Sequence, residues 1–169
     1  MRILVLLAAL LAAPPALGAQ AIALSVEGLA RSSDAVVRGQ VRKTAATLSP
    51  DGRRIFTLVD VDVASTWRGD ARRTVQVIVP GGVVGNIGQR VDGAPSFAEG
   101  EEVVVFLQRA EASGFRVAGL AQGKFQVAGT FATPDVAQLR MVARQVQAGE
   151  RPAEAMSVAE LERRVRSVP

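Results

Sequence analysis

Apolar and polar residues alternate with a period of two over much of this 169-residue chain. In residues 55–63, Ile, Thr and Val at the odd positions alternate with Phe, Leu and Asp at the even positions. Valine also outnumbers leucine by 24 to 8 after residue 21, and β-branched side chains fit a pleated sheet better than a helix. This pattern predicts a mostly β fold.

Turn residues divide the β segment into five to six short strands. Ser49-Pro50-Asp51-Gly52 is typical of a tight turn, because proline presets φ and glycine accepts a positive φ. A hairpin around this turn places Arg42 opposite Asp60 and Gln40 opposite Asp62. Many short strands separated by turns indicate a small barrel or sandwich, which we assign to residues 22–132. The predicted strands are residues 35–42, 55–63, 73–79, 102–108, 115–117 and 124–127.

Helical signals flank the strands on both sides. Ser25 is a candidate N-cap for a short helix that ends at Ser33 and Asp34. Residues 133–169 are predicted to form a helical extension of two helices. The first follows Thr133 and ends at Gly149, and the second begins at a capping box formed by Ser157 and Glu160.

The first 21 residues have the pattern of a secretory signal peptide. The apolar run Ile3–Ala13 has 11 residues, whereas a helix needs roughly 20 to span a bilayer. Ala19-Gln20-Ala21 is a small-x-small cleavage pattern. We expect cleavage after Ala21, with cleavage after Ala19 as the second choice and an uncleaved anchor as the less favoured alternative. The mature protein is then exported to the periplasm or the medium and has no membrane span.

Three residue types are absent, and their absence removes several classes of chemistry. The chain has no Cys, His or Tyr, which excludes thiolate nucleophiles, Ser-His-Asp triads and Cys/His zinc sites. No cofactor and no metal are expected. Carboxylate chemistry and a Ser-Lys pair using Lys43 or Lys124 remain. The net charge of +4 is dispersed, so no nucleic-acid partner is expected, and the oligomeric state stays open.

A string of short motifs resembles known families. It contains Asp34–Val41, Val59-Asp60-Val61, Trp67-Arg68-Gly69, Val75-Gln76-Val77, Gly81-Gly82 and Phe97–Glu101 before Val105-Phe106-Leu107. Over about residues 33–127 the chain resembles a set of uncharacterised secreted bacterial proteins. It is also similar to the netrin-type module of the tissue inhibitors of metalloproteinases. The resemblance implies an OB-like five-stranded antiparallel barrel. The inhibitors place an N-terminal cysteine on a zinc ion, and this chain has none, so their mechanism does not transfer.

Residues 81–98 are predicted to form a long glycine-rich loop. Loops this long in a small domain are usually functional or disordered. Trp67 precedes Arg68 and Gly69 at a strand end, where it serves either as an exposed anchor for a partner or, more often, to close one end of the barrel. The candidate partner-binding residues are Trp67, Arg68, Gly81, Gly82, Asn86 and Arg90.

Other motifs have simpler structural explanations. Asp60 and Asp62 share one side of a strand, where a cross-strand charge pair is favoured over a cation site. The segment Gly119–Phe125 departs from the phosphate-loop spacing and is read as a turn between strands. Glu99, Glu101 and Glu102 are the candidates for a paired-carboxylate hydrolase, although solvated charge beside a turn is the commoner reason for such residues.

These features favour an exported, non-enzymatic β-barrel module that binds a protein or a cell-envelope component through the loop at residues 81–98. Two alternatives stay open. One is a carboxylate-dependent hydrolase acting on an envelope polymer, which needs two carboxyl groups in one cleft. The other is a structural domain whose C-terminal helices join a larger assembly.

Overall fold

Twelve strands and two α-helices form the part of the chain that the computed structural model describes, residues 19–110 and 114–169. Most of the predicted signal peptide, residues 1–18, lies outside the described residues. The helices are α1 (Val26–Arg31) and α2 (Val158–Arg166), with a 3-10 turn at Leu120–Gly123. The strands are β1 (Ala19–Leu24), β2 (Ala35–Leu48), β3 (Ile55–Arg68), β4 (Thr74–Pro80), β5 (Gly82–Val84), β6 (Ile87–Gln89), β7 (Glu102–Arg109), β8 (Phe115–Val117), β9 (Lys124–Ala128), β10 (Phe131–Pro134), β11 (Leu139–Gln145) and β12 (Met156–Ser157).

Five strands close into a barrel in the order β7–β2–β3–β4–β8, with β8 returning to β7. Every pairing is antiparallel except β4 with β8, which is parallel. The mostly β class and the five-stranded barrel are therefore confirmed, whereas the expectation of a wholly antiparallel barrel is wrong at the β4–β8 pairing. Closure leaves these five strands without a continuous open edge.

Strand β7 joins the barrel to a second layer. One edge of β7 pairs with β2, and the other edge is shared between β9, opposite residues 103–105, and β8, opposite residues 107–109. From β9 the sheet branches through β10 to β12. A strand with neighbours on both edges and apolar layers on both faces is expected to read as one continuous hydrophobic run, and residues 103–107 do so.

Two apolar clusters lie on the two faces of β7. Val103, Val105 and Leu107 face the barrel interior, together with valines of β2, β3 and β4. Val104 and Phe106 face the other way, into a cluster that includes residues of both helices. Each of these five side chains is fully buried.

The hairpin β2–β3 carries its charges on the outer face, as its alternation predicts. Gln40 pairs with Asp62 as expected, but a bulge between Val41 and Lys43 shifts the register, so that Lys43 lies opposite Asp60. Arg42 still reaches both carboxylates, at 3.3 Å from Asp60 and 3.6 Å from Asp62. Asp60 and Asp62 are thus partners of Arg42 in a charge cluster.

The two helices cover the outer apolar face of the barrel. Ser25 caps α1 by accepting a hydrogen bond from the Gly28 amide at 2.8 Å. Ser157 caps α2 in the same way through the Glu160 amide at 3.2 Å, which confirms the second predicted C-terminal helix. Leu161 and Val165 of α2 are fully buried. Among the described residues, no helix has the length and apolar character needed to cross a membrane.

The helix predicted over residues 133–149 is wrong. Thr133 pairs with Gln126 inside β10 rather than capping a helix. The apolar stripe that suggested a helix belongs largely to β11, which pairs in parallel with β1. Valines favour an extended backbone, and the two helices and β7 already fill the layer in which an additional amphipathic helix would bury its stripe.

The boundary expected after Ala21 falls inside β1. Residues 19–21 pair with residues 139–141, and Ala21 is buried. The interruption in this ladder lies between Ala21 and Ile22, where the partner of Ile22 is Ala143 rather than the next residue along β11.

Glu150 joins the segment after β11 to the start of α1. Its carboxylate contacts the Arg31 guanidinium at 2.8 Å and accepts a hydrogen bond from the Ser25 hydroxyl at 2.5 Å. These two donors, Arg31 first, lower the pKa of Glu150 from 4.5 to about 2. The pKa of Glu27 is lowered as well, mainly because Arg164 of α2 donates two hydrogen bonds to it.

We predict that Glu150 stabilises the fold above about pH 4.5 and that this contribution is lost as the pH falls towards about 2. A carboxyl group whose pKa is lower in the folded state binds its proton more readily when unfolded, so acid favours unfolding. In thermal melts, Glu150→Gln should lower Tm at neutral pH, and its difference from wild type should shrink as the pH falls through this range. Asp70→Asn, at an exposed carboxylate, is the control. An undiminished difference at low pH would contradict the assignment.

Candidate functional site

The segment at residues 81–98 contains a β-hairpin rather than a continuous loop. Gly82–Val84 and Ile87–Gln89 pair as β5 and β6 around a two-residue turn at Gly85 and Asn86. Gly85 has a φ of 59°, which glycine adopts without steric cost. The prediction of one long glycine-rich loop is therefore wrong for residues 82–89, which form this hairpin. The sequence signal for the turn is Gly-Asn between Val83-Val84 and Ile87.

The tip of this hairpin presents two branched apolar side chains to solvent. Val83 is 67% exposed and Ile87 is 59% exposed. Asn86, one of the predicted partner-binding residues, lies at the turn and is also exposed. Single exposed apolar residues are ordinary, but here two lie within one short hairpin.

The base of the hairpin is held firmly by β3. The Ile55 amide donates to Gln89 Oε1 at 2.6 Å, and the Thr57 hydroxyl donates to the Gly81 carbonyl at 2.8 Å. A Cβ at Gly82 would lie 2.5 Å from Thr57 Oγ1, so a side chain there would collide with β3. Gly81 and Gly82 thus serve as a tight connection between β4 and the hairpin.

Arg90 follows directly after β6 and is well exposed. Its side chain is 76% exposed and lies 3.5 Å from an Asp92 oxygen. It also donates to the side-chain oxygen of Gln138 at 3.2 Å. The structure therefore brings Gly81, Gly82, Asn86 and Arg90 together in one hairpin and its exit.

Trp67 and Arg68 lie elsewhere. Trp67 lies twelve positions along β3 from Ile55 at the hairpin base, a contour of about 40 Å. Trp67 is only 4% exposed and its indole nitrogen donates to Ser65 Oγ at 3.0 Å. Arg68 donates to the backbone oxygens of Val168 and Pro169, each at 3.0 Å. Trp67 thus offers no exposed anchor, and Arg68 holds the end of the described chain.

A second feature is a cleft of about 850 Å³ with Lys124 at its floor, which we call the Lys124 cleft. Lys124 begins β9, and its side chain is only 4% exposed. Its ammonium nitrogen lies 2.7 Å from Glu101 Oε1 and donates to the Ser96 carbonyl at 2.5 Å. The ring centroid of Phe97 lies 4.9 Å away. This buried charge is therefore both paired and hydrogen-bonded, as a buried lysine requires.

Asp135 completes the network. Its carboxylate lies 3.8 Å from the Lys124 ammonium and accepts hydrogen bonds from the amide and hydroxyl of Ser96 at 3.3 Å. The Asp135 amide donates to the Lys124 carbonyl at 2.9 Å. Ser96 lies in the segment 81–98, so the network fastens the far end of that segment to β9 and to the residue after β10.

The central position of Lys124 was not predicted from the sequence. Lys124 forms neither the Ser-Lys pair nor the phosphate loop for which its neighbourhood made it a candidate. The Ser96 hydroxyl donates to Asp135, and the segment after Lys124 is strand β9. The available sequence signal was a lone lysine at the start of an apolar strand. A lysine buried at such a position requires a carboxylate partner, so this signal indicates a buried ion pair.

The acidic residues proposed for a hydrolase divide into different roles. Glu99 accepts from the Thr44 amide at 2.8 Å, and Glu102 accepts from Arg38 at 2.7 Å. Glu101 and Asp135 do meet in one cleft, but the Lys124 ammonium contacts both. Within residues 19–110 and 114–169, no group of three or more acidic side chains is placed to hold a metal ion.

Searches of protein families, of curated proteins and of solved structures find no significant match to this chain. Function is therefore inferred from the contacts, exposure and charges of the chain itself.

We predict that Lys124→Met destabilises the fold by about 3–5 kcal/mol, because it leaves the buried Glu101 carboxylate without its cation. The double variant Lys124→Met with Glu101→Gln should recover much of this loss. Urea unfolding measures both values.

The matched control for this prediction is Lys43→Met. Lys43 is the only other lysine and is exposed, so its replacement should change the free energy of unfolding by no more than about 0.5 kcal/mol. Equal stability of Lys124→Met and wild type would show that the network contributes nothing.

Proposed function

We propose that this chain is an exported, non-enzymatic β-barrel module that binds a protein or a cell-envelope partner through the hairpin β5–β6. The observation that carries the proposal is the pair Val83 and Ile87, exposed at the tip of a hairpin whose base is fastened to the barrel. A rigid scaffold that presents a short segment is a common arrangement for recognition. Asn86 and Arg90 supply polar groups beside these two apolar side chains.

We also infer that the barrel is of the OB type. Three consecutive hairpin strands, β2, β3 and β4, are followed by β7, which returns to lie beside β2. This is the Greek-key order, and OB barrels are five-stranded Greek-key barrels. The order supports the resemblance to the netrin-type module at the level of architecture. The absence of cysteine keeps the inhibitory mechanism of that family out of the proposal.

Export is the second part of the proposal. It is supported by the apolar run Ile3–Ala13, which is followed by the small-x-small pattern at residues 19–21. Removal of residues 1–21 would shorten β1 but would leave Ile22, Ala23 and Leu24 paired with β11. The predicted cut is thus compatible with a folded mature protein.

A carboxylate-dependent hydrolase is the second candidate, because Glu101 and Asp135 meet in the Lys124 cleft. A glycoside hydrolase needs the space between its two carboxyl groups for the scissile bond or a water molecule. Here the Lys124 ammonium occupies a position within 3.8 Å of both. The hydrolase would require Lys124 to leave this position, which makes the binding module the better supported function.

The proposed binding surface predicts that each of the single variants Val83→Asp and Ile87→Asp weakens recognition while the protein stays folded. Removing an anchor residue of an interface typically weakens binding by about tenfold or more. Hydrogen exchange of the protein with and without envelope extract from the source cells measures this. Wild type should gain protection at residues 82–89, and the variants should not.

Phe131→Asp is the control for this experiment, because Phe131 is 61% exposed and lies on β10, outside the hairpin. It should behave as wild type does. Protection of wild type confined to other parts of the chain would overturn the hairpin as the binding surface. Hydrolysis of an added polysaccharide that is lost in Glu101→Gln and Asp135→Asn would favour the second candidate instead.

Export predicts a specific mass for the protein recovered from the periplasm or the medium. Cleavage after Ala21 gives a chain that begins at Ile22, and cleavage after Ala19 gives one that begins at Gln20. Intact mass spectrometry of each cell fraction distinguishes the two. Recovery of the chain with residue 1 still attached, in the membrane or the cytosol, would contradict the export of a cleaved protein.

A further inference from the structure

Strand β11 has one edge that pairs with β1 and a second edge that pairs with no strand of the described chain. Its residues from Arg140 to Gln145 are all exposed. Parallel strands normally lie within sheets that are covered on both faces. The two-stranded parallel sheet of β1 and β11 is an exception, because β11 exposes both its side chains and its outer backbone edge to solvent.

The two-stranded sheet of β1 and β11 is attached to the barrel through β1. The amide group of the buried Gln122 side chain donates to the Ile22 carbonyl and accepts from the Leu24 amide, both at 3.0 Å. This side chain thus takes the place that the peptide group of a neighbouring strand would have. Two backbone groups on the inner edge of β1 are satisfied in this way, and β11 forms the outer edge of the two-stranded sheet.

Residues 136–149, which include β11, carry only positive side-chain charges. Between Asp135 and Glu150 the chain has no acidic residue, whereas β11 carries Arg140 and Arg144. Neither arginine forms an ion pair with a carboxylate in residues 19–110 or 114–169. Met141 and Val142, between them, are 39% and 53% exposed. The outer edge therefore combines backbone hydrogen-bonding groups, two cations and accessible apolar surface.

We propose that the outer edge of β11 is a strand-addition site for an extended, acidic segment of another polypeptide. In this mode of recognition the main-chain hydrogen bonds supply affinity and the side chains supply specificity. Carboxylates opposite Arg140 and Arg144 would give favourable cross-strand pairs, whereas a basic segment would place like charges together. The site is separate from the hairpin β5–β6, so it does not depend on the binding surface proposed above. Cleavage after Ala21 would leave β11 paired with β1 through Ala143, Arg144 and Gln145.

The probe is a blocked peptide of alternating threonine and glutamate, compared with one of alternating threonine and lysine. Fluorescence anisotropy at low salt should show saturable binding of the glutamate peptide, at least about tenfold tighter than that of the lysine peptide. Added salt should weaken this binding, because exposed charges are screened. Hydrogen exchange should show new protection of amides within residues 139–145.

The variant Arg140→Glu with Arg144→Glu should lose the glutamate peptide. Arg53→Glu with Arg73→Glu is the matched control, since it makes the same change in net charge at exposed arginines outside β11 and should bind as wild type does. Equal loss in both double variants would show non-specific attraction and would overturn the proposal. Binding without new protection in residues 139–145 would overturn strand addition. Absence of binding would overturn the proposal as well, and the arginines would then serve only to keep a bare edge soluble.

Discussion

The burial of β7 on both faces is the constraint on which the rest of this structure depends. Its continuous run of apolar residues fills the barrel with one set of side chains and the helix layer with the other. It also pairs with β2, β8 and β9. One strand thus contributes side chains to both cores and pairs with three neighbours, which joins the barrel to the helix layer. Phe106, which packs against Phe125 at a centroid distance of 5.8 Å, shows how the branch strand β9 is held to the same layer.

The network around Lys124 fastens the long connection after β4 to the rest of the fold. The segment 81–98 leaves the barrel as a hairpin and returns to it at Ser96, where a buried ammonium gathers a carbonyl, a ring and two carboxylates. Both ends of the segment are therefore fixed, and its tip, with Val83 and Ile87, is exposed to solvent. The same ammonium attracts both carboxylates, which offsets the repulsion between them within one cleft.

Local patterns predicted much of the fold. The alternation of residues 55–63, the turn at Pro50 to Gly52 and the continuous run of β7 each carry their own physical signal, and each appears where it was expected. The capping residues before α2 were equally informative, because an N-cap depends on neighbours in sequence. The same reasoning failed for residues 133–149, where the spacing of valines fitted a helix but the partner, β1, lies more than a hundred residues away.

The sequence by itself determined the β class, the outer charge face of β2 and β3, the second C-terminal helix and the chemistry that the absence of Cys and His excludes. Only the tertiary structure decided that Trp67 is buried, that Lys124 organises a network and that β11 is a strand with an open edge. The physical reason is range. Period, turns and caps arise from residues a few positions apart, whereas burial, ion pairing and strand partnership are set by groups that meet only when the chain has folded.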